Sequence, residues 1–264
     1  MIKLFYLLSL SVLIYACSPY QKALKSEDVA LKYSEAEKKY EAKKYTKAIR
    51  LFEQLAPAFR GKPQSEKMFY MFAQSYYLTE QYYLAAYQFE SFVSSYPKSE
   101  KVEEAAYLAG KCHSLLSPPY SLDQTETITA IDKLQGFIDA YPNSTYLPEA
   151  NETLKGLTGK IEKKYFEIAK QYNSISDHKS ALVALNNFID EYPGTVYKED
   201  ALFFRLDSAY KLAINSIPSK MEERLKNAKA AYSNLVRFKD DSKHKDKADE
   251  MLAKIDQQLQ QFSK

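Results

Sequence analysis

The stretch SEKMFYMFAQSYYLTEQYYLAAYQFESFVSSYPK, residues 65–98, decides the fold. Its apolar residues follow a helical period in two blocks, Phe69, Phe72, Ala73 and Tyr76 in the first and Tyr82, Ala85, Phe89 and Phe92 in the second. Pro97 stops the second block, because proline has no N–H to donate and clashes with the preceding turn. Small Ala73 and Ala85 let the two helices lie close together, while Phe72, Tyr76, Phe89 and Phe92 fill the space toward the next pair. A single pair of this kind cannot bury its own apolar face, so the segment predicts neighbours built the same way.

Those neighbours are present. Tyr96-Pro97 recurs as Tyr141-Pro142 and Tyr192-Pro193 at spacings of 45 and 51 residues, and the related Ala56-Pro57 lies 40 residues before Pro97, each read as a stop between helix pairs. The 34-residue unit resembles a tetratricopeptide repeat. Tyr165, Ile168, Ala169 and Tyr172, followed by His178, Ala181, Leu185, Phe188 and Pro193, repeat the pattern. Looser copies start from Tyr33, Ala36 and Tyr40 with Tyr45, Ala48, Phe52 and Leu55, and from Ala106 to Leu116 with Ile128, Ile131, Leu134 and Phe137. The expected fold is all-α, a tetratricopeptide-repeat α-solenoid of about five helix pairs plus a C-terminal capping helix. The pairs fall at 29–60, 65–98, 100–143, 148–194 and 197–240, and the cap at 242–262, within a repeat domain of 29–264. Residues 148–172 form one long periodic segment, consistent with a long first helix of the fourth repeat despite Gly156 and Gly159. Loops 56–66, 117–127 and 215–223 exceed the minimal turn and are candidate contact loops.

Composition narrows the function. Of 264 residues, Lys and Arg number 37 against 34 Asp and Glu, a net +3 that offers no nucleic-acid surface. With 6 Gly, no Trp, 23 Tyr and 14 Phe, the chain suits helices joined by aromatic contacts better than a glycine-looped nucleotide enzyme. Residues 1–16 read as a lipoprotein signal peptide: Lys3 precedes an apolar run from Leu4 to Ala16 that is too short to span a bilayer, and Cys17 follows as the acylation site. Residues 17–28 then form the lipidated N-terminus and tether. Several acyl chains hold a protein stably at a membrane. Ser18, where Asp would suggest retention at the inner membrane, favours the outer one.

No catalytic constellation emerges. His113, His178 and His244 are scattered with no metal-binding spacing, no serine elbow or phosphate loop occurs, and no cofactor is implied. Cys112 sits in an apolar helical run and reads as a small buried hydrophobe. The carboxylates of KSEDVALKYSEAEKKYEAKK, residues 25–44, alternate with lysines as a solvated helix face does. Stacked first helices would line a groove instead. Helical spacing assigns Glu66, Tyr70, Gln74 and Tyr77 to it in the second repeat and Lys163, Phe166, Lys170 and Asn173 in the fourth, mixing ring area with polar groups suited to an extended peptide.

The sequence resembles the BamD family, tetratricopeptide lipoproteins of the outer-membrane β-barrel assembly machinery, in the form typical of Bacteroidetes. The marks are Cys17, RGKPQSEKMFYMFAQSYY at 60–77, FESFVSSYPKSEKVEEAAY at 89–107, SLDQTETITAIDKLQGFIDAYPNS at 121–144 and ALVALNNFIDEYPGTVYKEDALF at 181–203. The resemblance implies a non-enzymatic protein, lipid-anchored on the periplasmic face of the outer membrane. It implies binding to the periplasmic domains of the central barrel subunit through later repeats around 166–240, with Lys163, Phe166, Lys170 and Asn173 as candidates. It further implies capture of unfolded outer-membrane protein precursors by early repeats, near Tyr33, Tyr40, Tyr70 and Tyr77, and contact with other assembly lipoproteins. An envelope scaffold linked to peptidoglycan or energy-transducing machinery is the alternative, although no heptad precedes the first repeat. A glycan-uptake lipoprotein suits this length and lack of Trp less well.

Overall fold

The computed structural model describes residues 18–62 and 65–262; Cys17 and the leader lie outside them. Among the described residues all regular structure is helical. A short helix α1 (Pro19–Lys25) is followed by α2 (Val29–Glu41) with α3 (Tyr45–Phe59), α4 (Glu66–Tyr77) with α5 (Tyr82–Ser95), and α6 (Val102–Leu116) with α7 (Thr125–Ala140). Next come α8 (Leu147–Ser174) with α9 (His178–Glu191), α10 (Lys198–Ile214) with α11 (Pro218–Phe238), and a last helix α12 (Lys245–Leu259). The chain is an all-α array of tetratricopeptide-like helix pairs closed by a C-terminal helix, as the period of its apolar residues predicts.

The described residues divide into two compact units: unit one falls within Met1–Pro118 and Asp123–Leu157, unit two within Pro119–Leu122 and Thr158–Lys264. Unit one is cored by Leu51, Phe52, Leu55, Met68, Phe72, Phe89, Phe92, Leu134 and Phe137. Helices α6 and α7 approach so closely at Gly110 that a β-carbon there would stand 2.9 Å from Leu134 Cδ2. In unit two, Phe166, Ala169, Leu185 and Phe188 form one cluster and Leu206, Leu225, Leu235 and Ile255 another.

Local chemistry repeats with the fold. Tyr96, Tyr141 and Tyr192 each terminate a second helix, donating their N–H to Phe92, Phe137 and Phe188 and laying their rings 5.2, 5.5 and 5.4 Å from those same phenylalanines. Proline next in sequence ends each helix, and a turn follows in which the N–H groups of Ser99, Ser144 and Thr195 donate to the carbonyls of Tyr96, Tyr141 and Tyr192. A latch ties successive pairs: Ser99 Oγ donates to Glu66, Ser144 Oγ to Glu103, and Ser242 Oγ to Glu199. The tight turns inside three pairs each hold a residue in the left-handed region, Lys43 at φ 56°, Glu80 at 59° and Ser176 at 64°.

Some expectations change. Ala56-Pro57 does not stop a helix, since α3 runs through Pro57 to Phe59 and Arg60 N–H still reaches the Ala56 carbonyl. Proline so near the end forfeits one backbone bond, and Leu51, Phe52 and Leu55, all buried, keep the helix on the core. The loop proper is therefore shorter than 56–66. The long helix expected over 148–172 does form, since α8 is continuous from Leu147 to Ser174 through Gly156 and Gly159. Residues 17–28, expected as a tether, contain α1, whose Tyr20 and Ala23 are buried against unit one.

Candidate functional site

A cleft of about 570 Å³ opens on unit one. Tyr40 and Glu41 come from the end of α2, Glu66, Lys67, Tyr70 and Met71 from α4, and Lys101 from the residue before α6. Tyr70 forms its wall. The ring meets Phe92 and Phe89 edge-on at 5.6 and 6.3 Å, and its hydroxyl accepts a 2.8 Å bond from Gln74 Nε2. Burial, with Glu104 beside it, holds the Tyr70 phenol well above the usual tyrosine range. Lys101 Nζ stands 5.4 Å over the Tyr70 ring and 3.0 Å from Glu104, while Lys67 is paired to Glu37. Tyr40 meets Tyr45 at 5.7 Å, and its phenol is also raised by burial. The cleft thus offers two half-buried rings whose polar ends face a mixed-charge rim.

The six residues expected to bind peptide separate here. Tyr40, Glu66 and Tyr70 line the same cleft. Gln74 acts through the Tyr70 hydroxyl. Tyr33 stacks on Phe59 at 5.8 Å, and Tyr77 packs edge-on against Tyr82 and Phe89 at 5.9 and 6.4 Å, so neither lines it. Glu41, Lys67, Met71 and Lys101 are the lining residues that the sequence reading overlooked. Lys67 and Met71 sit one position beyond Glu66 and Tyr70, a stripe as legible as the one chosen; Lys101 enters only through the next repeat.

The fourth repeat requires a larger correction. Phe166, expected in a groove, is 4% exposed, lying 5.0 Å from Tyr197, 5.7 Å from Phe188 and 6.3 Å from Phe204. Asn173 is equally enclosed and donates from Nδ2 to Asp207 at 2.7 Å and Ser208 at 2.9 Å. Conversely Tyr165, Ile168 and Tyr172, expected in the core, are exposed on α8, and Ile175 in the turn just after it is exposed as well. The register is turned by one residue because both stripes carry an aromatic and an i+3 apolar neighbour; only Asn173, with partners waiting on α10, distinguishes them. Lys163 and Lys170 flank the buried stripe. Lys163 Nζ lies 4.3 Å over Tyr120, and Lys170 Nζ lies 5.8 Å from both Phe166 and Phe204 and 3.3 Å from Glu167. Beside them a polar cleft of about 540 Å³ is lined by Tyr120, Lys164, Glu167, Ile168, Lys170 and Gln171. Lys164 donates to the Leu122 carbonyl at 2.6 Å.

Two further groups have structural work. Cys112 is fully buried, and burial pushes its thiol up to about 12, far from a nucleophile's range. His113 bridges Glu126 at 3.1 Å and Glu90 at 3.0 Å, joining three helices of unit one. Among the described residues no cluster of three or more His, Cys, Asp or Glu could hold a metal ion, and no helix is long and apolar enough to cross a membrane.

Successive helix pairs of this kind define a tetratricopeptide-like repeat protein. A family profile described as "YfiO: Outer membrane lipoprotein" matches residues 25–225, and the chain belongs to that family. It is 22% identical to "Outer membrane protein assembly factor BamD" of Haemophilus influenzae, over 84% of this chain and 88% of that one. It is 23% identical to the protein of the same name from Pasteurella multocida, over 67% and 72%. These relatives carry nothing on the Bacteroidetes character expected from the sequence. Among solved structures, "TPR2AB-domain:pHSP90-complex of yeast Sti1" aligns with a TM-score of 0.41 at 14% identity, over 86% of this chain and 98% of that one. Membership makes the chain a non-enzymatic, lipid-anchored protein of the outer membrane's periplasmic face.

Proposed function

We propose that this chain aids β-barrel assembly by binding the central barrel subunit of the assembly machinery and by receiving unfolded outer-membrane protein precursors, while acyl chains on Cys17 hold it at the membrane. The observation that carries the precursor role is the unit-one cleft, where Tyr40 and Tyr70 present ring faces beside Lys67, Lys101, Glu41 and Glu66. Half-buried tyrosines bind extended chain well, since each offers apolar area and a hydroxyl at little entropic cost. The subunit-binding role draws on unit two, where Tyr165, Ile168 and Tyr172 on α8, with Ile175 just beyond its end, leave an apolar stripe exposed. A stripe of this kind, rimmed by Lys163, Lys164 and Lys170, suits a protein partner.

Precursor binding is tested by fluorescence titration with an unfolded barrel peptide. Tyr40→Ala should weaken affinity at least about fivefold, as loss of an aromatic anchor does, whereas Tyr77→Ala should leave it unchanged; equal effects would remove the cleft from the reading. Crosslinking in intact envelopes tests the partner. Recovery of a large barrel protein linked to 163–175 supports the proposal, and enrichment of peptidoglycan-associated proteins instead would favour the envelope-scaffold alternative. Cys17→Ser should release the protein from membranes, and membrane retention of an unacylated chain would defeat the anchor.

A further inference from the structure

Helix α1 is docked on unit one. Tyr20 is 6% exposed and Ala23 fully buried, so the chain is fixed to the first helix pair within three residues of Cys17. Tyr20 also fixes where that happens: Lys47 Nζ on α3 lies 5.2 Å from its ring centre and Lys39 Nζ on α2 lies 5.8 Å from it. The start of α1 therefore abuts the turn joining α2 to α3. In the sequence Tyr20 follows Cys17 by three residues.

The turn is basic. Lys43, Lys44 and Lys47 are exposed there, Lys22 is exposed on α1, and among the described residues no carboxylate is paired with any of them. The local acids are accounted for: Glu35 is buried against Lys39, Glu41 lines the cleft, and Glu27 and Asp28 follow the opposite end of α1. Four cations thus stand where an acyl anchor would enter a bilayer, on a chain whose overall charge is only +3.

We propose that the α1 end of unit one, with Lys22, Lys43, Lys44 and Lys47, is a membrane-contacting surface that rests on anionic phospholipid headgroups beside the anchor. The proposal deepens the Cys17 reading and depends on it for orientation. Acyl insertion supplies the attachment; the lysines, held by a docked helix rather than a free tether, add attraction within a Debye length of about 8 Å and set which face of the first repeat meets the lipid.

The test is sedimentation of the mature full-length chain with vesicles of phosphatidylcholine alone or mixed with phosphatidylglycerol. Unacylated Cys17→Ser protein should bind only the anionic vesicles and detach as salt rises. Adding Lys43→Gln, Lys44→Gln and Lys47→Gln should lower its partition about a hundredfold, at roughly fivefold per lysine. A charge-matched control, Lys220→Gln with Lys247→Gln and Lys254→Gln, should leave partition near its starting value. Equal binding to both lipids, an unchanged partition in the turn variant, or an equal drop in the control each overturns the proposed surface. Wild-type protein lost from neutral vesicles, with the anionic arm intact, would overturn the anchor and leave the lysine surface standing.

Discussion

Exchanging Phe166 and Tyr165 in turn for alanine tests the corrected register of the fourth repeat most directly. Phe166 is 4% exposed and touches three rings from α9, α10 and the turn between them, so Phe166→Ala removes both buried area and the partners of Tyr197, Phe188 and Phe204. Truncations of this kind cost about 3–5 kcal/mol, because the site closes only partly over the cavity. Tyr165 is 46% exposed and keeps one stacking contact, with Tyr192 at 6.0 Å, so Tyr165→Ala should cost about 1 kcal/mol. Urea unfolding followed by helical circular dichroism measures the pair. Since repeat arrays can unfold in stages, amide exchange across α8 to α10 localises the loss. Phe166→Ala should release protection there and Tyr165→Ala should not. Equal losses, or a larger loss for Tyr165→Ala, would restore the register expected from the repeat pattern and refute the inward placement of Phe166.

Tyr76 is 5% exposed and its hydroxyl donates to Glu53 at 2.9 Å; Tyr76→Ala should destabilise unit one by about 2–5 kcal/mol, and thermal unfolding near wild type would contradict that packing. Cys112 should react with thiol reagents only as fast as unit one opens, so rapid labelling of native protein would contradict its buried, raised thiol. Glu199 is held down at about 2, from an ordinary 4.5, by Ser242 first and then by Lys239 and the Lys243 N–H. Its folded value is the depressed one, so its stabilisation is full above pH 4.5 and fades as pH falls toward 2. Glu199→Gln should flatten that acid limb by about 1 kcal/mol, allowing for solvent screening, and an unaltered stability profile between those pH values would count against the latch.

Much of the architecture was legible because tetratricopeptide pairs advertise themselves at short range. Tyr-Pro closures and the Ala73 and Ala85 contacts depend on neighbours a few residues away, and these the sequence states openly. Orientation about a helix axis is different. On α8, Tyr165 with Ile168 and Phe166 with Ala169 satisfy the same period, and the choice falls to groups on α10, some 35 residues distant, that receive the Asn173 amide. The same limit governs the cleft. Tyr40 and Tyr70 could be picked out as ring-bearing positions, but Lys101 reaches Tyr70 from the following repeat, and no local spacing announces it.

The serine–glutamate latch carries this reasoning a step further. Glu66, Glu103 and Glu199 stand near the starts of first helices and Ser99, Ser144 and Ser242 stand one repeat later, at separations of 33, 41 and 43 residues. Because insertions change those separations, a search at fixed period misses them; because each serine follows a helix end by the same short step, their position relative to the turn is constant. Glu66 also lines the unit-one cleft, so the carboxylate that ties the second repeat to the third is the one an incoming chain would meet. A ligand that recruited it would compete with Ser99. Glu66→Gln keeps an acceptor for the serine while removing the charge, and should therefore change peptide affinity more than stability; the reverse ranking would make Glu66 a fastener alone.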